Sequence, residues 1–333
     1  MPAPAPLPND LEVSSKLTPE VRPAAEAVAR ATAATSPPGD VSVEAERIVR
    51  DAATTGQLPE RSVAALLAMG ERALDVVFKY FPGPHGIVRG EPGAKLPAMD
   101  EAGPLLRLVV TFRQSAVPRL VEALDDADPD RRYCALLCLG EVVHPTAIPR
   151  LIPTLLAGDV ATRDAALSVL KSYRRFGEFS SVGRSLRTLL RDARAPSEQR
   201  AHAARALAEF RDVEAVPGLM AALGDADAAV VAAAHRALVE VTRQDFGTSV
   251  APWAEWWEHA QHRHRVEWLI DALLHTDATV RHEASEELKK LTGQFFGYYF
   301  NLPRRERERA HQRYLEWWRR EGAQRLSGRG SIP

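Results

Sequence analysis

Cysteine, methionine and charge of one sign are all scarce in this chain of 333 residues. Its two cysteines, Cys134 and Cys138, stand four apart in the apolar run Tyr-Cys-Ala-Leu-Leu-Cys-Leu. That spacing puts both on one helix face, where a thiol packs as a small hydrophobe. It is not the C-x-x-C of redox and zinc sites. The formal net charge is −1, so bulk electrostatics favour neither nucleic acid nor a membrane surface. No window approaches the roughly 20 consecutive apolar residues that span a bilayer. The opening Met-Pro-Ala-Pro-Ala-Pro-Leu-Pro has no basic start and no apolar core, so it does not read as a signal peptide, and a cytoplasmic protein is expected. No Ser-His-Asp, Cys-His or paired-carboxylate constellation stands out, so no catalytic residue is assigned, and no cofactor is expected.

What is present is ordinary for a globular chain, at 45% hydrophobic and 26% charged residues, and it is unevenly distributed. Residues 1–40 hold eight prolines and nine alanines, which reads as a disordered tail with a transient helix near 20–30. Residues 41–115 pattern as a helical N-terminal cap, with a buried helix pair over 58–80. Proline and glycine punctuate 82–104, a loop long enough to expect that it binds a partner or covers a groove.

From residue 116 the chain repeats itself. Ala-Val-Pro-Arg-Leu-Val-Glu-Ala-Leu at 116–124 returns at 147–155 and 215–223, with degenerate copies at 182–190 and 266–273. Leu120, Leu151, Leu186 and Leu219 are spaced 31, 35 and 33 apart, a period that marks an array of helical units. The second half of each unit opens on aspartate: Asp128, Asp159, Asp227 and Asp277 each precede a helix rich in alanine and leucine. An aspartate there accepts from a free first-turn amide and suits the positive helix end. Each unit is thus helix A, a turn, and helix B, and stacking of the pairs builds the core.

These motifs resemble the HEAT repeat, specifically the bacterial PBS lyase HEAT-like type. The resemblance implies an all-α solenoid of stacked antiparallel helix pairs, a superhelix of the ARM type, over residues 116–299, with 300–333 as a capping helix and tail. It also implies an inter-repeat ladder of Asp128, Asp159, Asp227 and Asp277 with Arg132, Arg163, Arg200 and Arg281. Ala195 or Pro196 replaces the aspartate of the third unit, and Val231 the arginine of the fourth. Those gaps predict weaker stacking or altered curvature between 182 and 240.

One motif occurs twice: Thr-x-Gln-x-Phe-Gly at 242–247 and again at 292–297. Gly247 and Gly297 are expected as helix-ending glycines. Phe246 and Phe296, with Trp253, Trp256 and Trp257 after the first copy and Tyr314, Trp317 and Trp318 after the second, are expected to form an aromatic cap. The alternative is a partner surface, because tryptophan and tyrosine concentrate in interfaces.

Other candidates fall away. His259, His262 and His264 lack a strong zinc spacing, so no metal is expected. His282-Glu283 resembles one His-Glu pair of the HEAT-repeat iron enzyme deoxyhypusine hydroxylase, but the other pairs are missing. Gly-Glu-Pro-Gly-Ala-Lys at 90–95 lacks the Gly-Lys-Ser/Thr of a phosphate loop. Residues 304–329 hold nine arginines, but glutamates at helical spacing make this a solvated, salt-bridged face.

The expectation is a non-catalytic scaffold that binds another protein in a groove lined by the B helices. Tyr133, Asp164, Arg236, His282 and Glu286 are the groove candidates. The alternatives are a nucleic-acid binder with a basic groove, and a lyase-type enzyme or enzyme-associated subunit.

Overall fold

The computed structural model describes residues 38–89, 96–99 and 102–327; the tail expected over 1–40 lies almost wholly outside them. Those residues are helices and connections, with no strand among them, in two compact units.

The smaller unit holds α1 (Pro38–Thr55), α2 (Glu60–Met69), α3 (Glu71–Tyr80) and α4 (Pro104–Thr111). Gly70 ends α2 and begins α3, and its φ of 61° is why a glycine stands at so abrupt a turn. α1 packs on α3 and α4 around Val49, Leu66, Val77, Leu105 and Leu106. Tyr80 donates to Glu46 and accepts from Arg50, fastening α3 to α1.

The larger unit is the stack. Its pairs are α5 (Val117–Ala123) with α6 (Pro129–Glu141), and α7 (Ile148–Ala157) with α8 (Val160–Leu170). Next come α9 (Ser180–Arg191) with α10 (Ser197–Glu209), and α11 (Val216–Ala222) with α12 (Ala228–Thr242). After an extra helix, α13 (Val250–Ala260), the last pair is α14 (Arg265–Ala272) with α15 (Ala278–Thr292). α16 (Arg304–Trp317) follows, continuing through a π-helical turn into α17 (Ala323–Ser327). α6 packs on α8, α10 on α12, α7 on α9 and α9 on α11, so each pair leans on its neighbours in chain order, as a solenoid requires. Residues 88, 89, 96 and 97 belong with this unit and not with the N-terminal helices.

The aspartates begin the B helices as expected: their carboxylates accept from Asp130 N (2.9 Å), Thr162 N (3.0 Å), Ala229 N (2.8 Å) and Thr279 N (2.6 Å). Asp128, Asp159, Asp227 and Asp277 cap their own helices, and Asp159 and Asp227 also feel the charge of the preceding repeat's arginine, Arg132 and Arg200 respectively. Arg132, Arg200 and Arg281 donate to carbonyls of the turn just before their helix. The contacts between repeats run from Arg163 to Glu198 and from Arg200 to Asp225 (2.8 Å). Of the two expectations for 182–240, weaker stacking does not hold at the α10–α12 junction. α10 and α12, inside the region predicted to loosen, make the most extensive helix–helix contact, because buried alanines line both: Ala203, Ala204 and Ala206 on one, Ala233, Ala234 and Ala237 on the other.

The doubled motif is structural. In each copy the threonine hydroxyl donates back to a helix carbonyl, Thr242 to Leu238 (2.6 Å) and Thr292 to Leu288 (2.7 Å). It also accepts from the glutamine amide two residues on, at 3.1 Å in both. The left-handed residues that end the helices are Arg243 and Gly293, not Gly247 and Gly297. Gly247 lies in the following turn at φ 71°, and its carbonyl accepts from the Trp253 indole at 2.7 Å. In the second copy the Tyr314 hydroxyl donates to the Gln294 carbonyl at 3.0 Å. Phe246 meets Trp253 edge-on at 5.0 Å, and Phe296 meets Tyr314 edge-on at 4.7 Å. Each copy thus ends a B helix and seats an extra helix on an A helix, α13 on α11 and α16 on α14. Trp253, Tyr314, Trp317 and Trp318 are buried; Trp256 and Trp257 are half-buried against Trp268, a cap member that its place in helix A concealed.

Candidate functional site

Three B helices, α8, α10 and α12, frame a cleft of about 390 Å³. Its floor is small and apolar: Leu167, Ala208, Ala233 and Ala237. Its walls are charged: Asp164 and Lys171 from α8 and the turn after it, Arg205 and Glu209 from α10, Arg236 and Glu240 from α12. The three cations and three anions balance. Lys171 and Glu209 pair across the cleft at 2.7 Å.

The cleft exists because α8 and α10 do not approach as α10 and α12 do. Side chains bridge them instead. Arg163, buried on α8, reaches Glu198 at the start of α10. His202 of α10 is fully buried, with Nδ1 at 3.8 Å from Asp164 and 3.3 Å from the Arg205 guanidinium. Burial, then the charges of Arg205 and Arg163, push its pKa down to about 4, against the pull of Asp164 and the Leu155 carbonyl. It is a neutral imidazole at ordinary pH. Burial, then the neighbouring Glu209, holds the Glu240 carboxyl above its usual range, with Arg243 and Arg211 pulling it back.

Of the groove candidates, Asp164 and Arg236 line this cleft. Tyr133 does not: it is 3% exposed, turned into the core of α6, and its place on the groove is corrected accordingly. His282 and Glu286 are exposed on α15, away from the cleft, where His282 meets Phe300 at a tilt, with ring centroids 4.6 Å apart. Lys171, Arg205, Glu209 and Glu240 were missed. The signal was available: Arg205 and Arg236 stand 31 residues apart, as do Glu209 and Glu240, at matched places in successive repeats.

A second charged cluster bridges α12 to α15. Glu287, buried, accepts from Arg265 (2.7 Å), Arg211 (3.1 Å) and Arg243 (3.3 Å). Arg243 also pairs with Glu283, and Arg265 donates to the Val241 carbonyl. Burial pulls Arg265 below its usual pKa, opposed by Glu287. Arg211 and Arg243 both adopt φ above zero, at 52° and 59°, a conformation that costs a non-glycine residue about 1–2 kcal/mol. The network is filled by its own members and reads as a structural clamp.

The loop expected to cover a groove is described only in part. Arg89 lies 3.2 Å from Asp130 and 3.7 Å from Asp159, at the starts of α6 and α8, and is not among the residues lining the cleft. No group of histidine, cysteine, aspartate and glutamate among the described residues could hold a metal ion. No described helix is long and apolar enough to cross a membrane.

Helix pairs packed on their neighbours in chain order, each B helix opened by an aspartate or its substitute, define an α-solenoid. The family model for the PBS lyase HEAT-like repeat matches residues 199–225, which run from α10 through α11. No curated protein matches the chain. Among solved structures, the crystal structure of an engineered protein is similar at 19% identity, covering 75% of this chain and 96% of its own, with a TM-score of 0.32.

Proposed function

We propose that this protein is a non-catalytic, cytoplasmic scaffold that holds another protein in the cleft between α8, α10 and α12. One observation carries the reading: charge-balanced, mostly exposed walls over a floor of alanines and Leu167, with arginine and glutamate at matched places on α10 and α12. A nucleic-acid groove calls for continuous positive charge, whereas three carboxylates stand among the cations here. An enzymatic cleft calls for an accessible group of strongly shifted pKa, and Glu240, the raised carboxyl of this one, is half-buried and held between Glu209 and the arginines Arg211 and Arg243. The strongly shifted histidine, His202, is fully buried beneath this one and serves the helix junction. The reading needs no cofactor and no metal.

The test is site-specific photo-cross-linking in the native cell. A photoreactive phenylalanine analogue replaces Ser168 or Arg236 in the cleft, or Arg304 as an exposed control. A discrete protein adduct from both cleft positions, and none from the control, is the expected result. Adducts to nucleic acid only, or no adduct from either cleft position, would overturn the reading.

A further inference from the structure

The helices that pack most closely confront each other with like charges. Arg205 of α10 and Arg236 of α12 hold equivalent places, and one turn further on Glu209 and Glu240 do the same. All four line the cleft; three are exposed and Glu240 is half-buried. Like charges on neighbouring helical positions repel, and opposite charges at those places would attract. Within the cleft Lys171 relieves Glu209. Glu240 feels Glu209 on one side and Arg211 and Arg243 on the other. Neither Arg205 nor Arg236 is ion-paired with a carboxylate among the described residues; Arg205 meets only the buried His202 imidazole at 3.3 Å.

Two rows of opposite sign, about 5.4 Å or one helical turn apart, are matched by residues four apart on another helix. The floor suits the same guest, since alanines admit a close helix, and about 390 Å³ accommodates a few side chains and no more. We propose that the cleft takes a helix of the partner protein, which lays an acidic side chain between Arg205 and Arg236 and, one turn along, a basic side chain between Glu209 and Glu240. This rests on the scaffold reading and adds the partner's chemistry to it.

The experiment uses the full chain and the double variant R236E/E240R, which places opposite charges across the α10–α12 junction. Relief of repulsion raises its Tm, by about 1–4 °C; an unchanged or lower Tm overturns the claim that the rows are in conflict. The probes are labelled alanine-based helical peptides of about 18 residues, long enough to hold a helix. They carry a Glu and a Lys four apart, two Glu four apart, or two Lys four apart, and are read by fluorescence anisotropy at low salt. The mixed peptide binds the wild-type chain at least about tenfold tighter than either control, and the variant erases that preference. Equal or tighter binding of the two-Glu peptide would make this a general anion site and overturn the proposal. So would tighter binding of the two-Lys peptide, or no binding of the mixed peptide at about 1 mM. Sedimentation that shows wild-type self-association abolished by the variant would assign the cleft to a second copy and likewise overturn it. The two readings fail separately. A cross-link from position 168 that survives in R236E/E240R leaves the scaffold standing and removes the charge match, whereas absence of cleft adducts in the wild type removes both.

Discussion

The α10–α12 junction and the two junctions that flank it solve the same problem by different chemistry. Between α10 and α12, alanines face inward from both helices and the backbones come close, and the Arg200–Asp225 pair sits only at the helix starts. At α8–α10 and α12–α15 the helices stand further apart and charged side chains cross the gap: Arg163 to Glu198 in one, Arg243 to Glu287 in the other, with Arg265 joining Glu287 to the Val241 carbonyl. Residue size decides which solution applies. α15 offers Ala284 but also Glu287 and Leu288 on its buried side, and α8 buries Thr162, Arg163 and Val169. A close junction seals the core; an open one leaves room for solvent, ions and a guest. The cleft lies where one kind meets the other.

If the open junctions depend on their ion pairs, removing the shared partner of one should do the most damage. Glu287→Ala strands Arg243 and Arg265 in the interior and takes away the anchor for which Arg211 and Arg243 hold strained backbones. Breaking a buried pair from one side costs about 3–5 kcal/mol. Urea denaturation should show a shift of that size. A loss below about 1 kcal/mol, the worth of a surface pair, would mean that the α12–α15 junction is held by packing alone.

The open junction beside the cleft should also be the acid-sensitive one. His202 titrates near 6.5 when unfolded and at about 4 in the fold, mainly because it is buried. As pH falls from 6.5 towards 4 the unfolded chain takes up a proton that the folded chain refuses, so stability declines across that window and levels off below it. The full effect is roughly 3 kcal/mol for this one group. The groups facing it are Arg163 and Asp164 of α8, Arg205 of its own helix and the Leu155 carbonyl of α7. His202→Gln should therefore lose less stability than the wild type between pH 6.5 and 4.5. Parallel curves for the two proteins would place the acid sensitivity elsewhere.

The close junction should break on bulk instead. Ala234 is fully buried on α12, and Ala234→Leu forces extra volume between helices that have none to spare, at about 1–3 kcal/mol. Ser168→Leu, on the half-buried wall of the cleft, should be nearly neutral. Equal losses from the two would erase the distinction between the junctions.

Sequence periodicity carried the architecture because a solenoid writes its contacts at short range: the proline-leucine A helices, the aspartate caps and the alanine B helices are each readable inside one unit. It carried the site only halfway. Asp164 and Arg236 were found because their places on helix B point outward, but Tyr133, at the place matching Asp164, is covered. Exposure depends on what the neighbouring unit sets beside a position, and one unit does not encode that. The same limit explains why weaker stacking does not hold at the α10–α12 junction. A missing arginine at Val231 was read as weakness, when the alanines around it brought the helices closer. The two junctions bridged by Arg163 and by Glu287 join residues 35 and 22–76 apart in the chain, and no local pattern announces such pairs.

The smallest expected effect concerns a single cap, and it bears on whether the open junction is preorganised. Asp159 opens α8, accepting from the Thr162 amide at 3.0 Å and the Thr162 hydroxyl at 2.8 Å. Its counterpart on α10 is Pro196, which offers no side-chain cap, so at this junction one helix start is fastened and the other is not. Asp159→Ala should cost about 1 kcal/mol and Asp159→Asn only a few tenths, because asparagine keeps an acceptor oxygen for the amide. Since α8 carries Asp164 and Arg163, loosening its first turns should also weaken cross-linking from position 168 more than from position 236 on the closely packed α12. Equal weakening at both positions would show that α8 and α12 respond as one body, and the contrast between open and close junctions would then describe packing without describing motion.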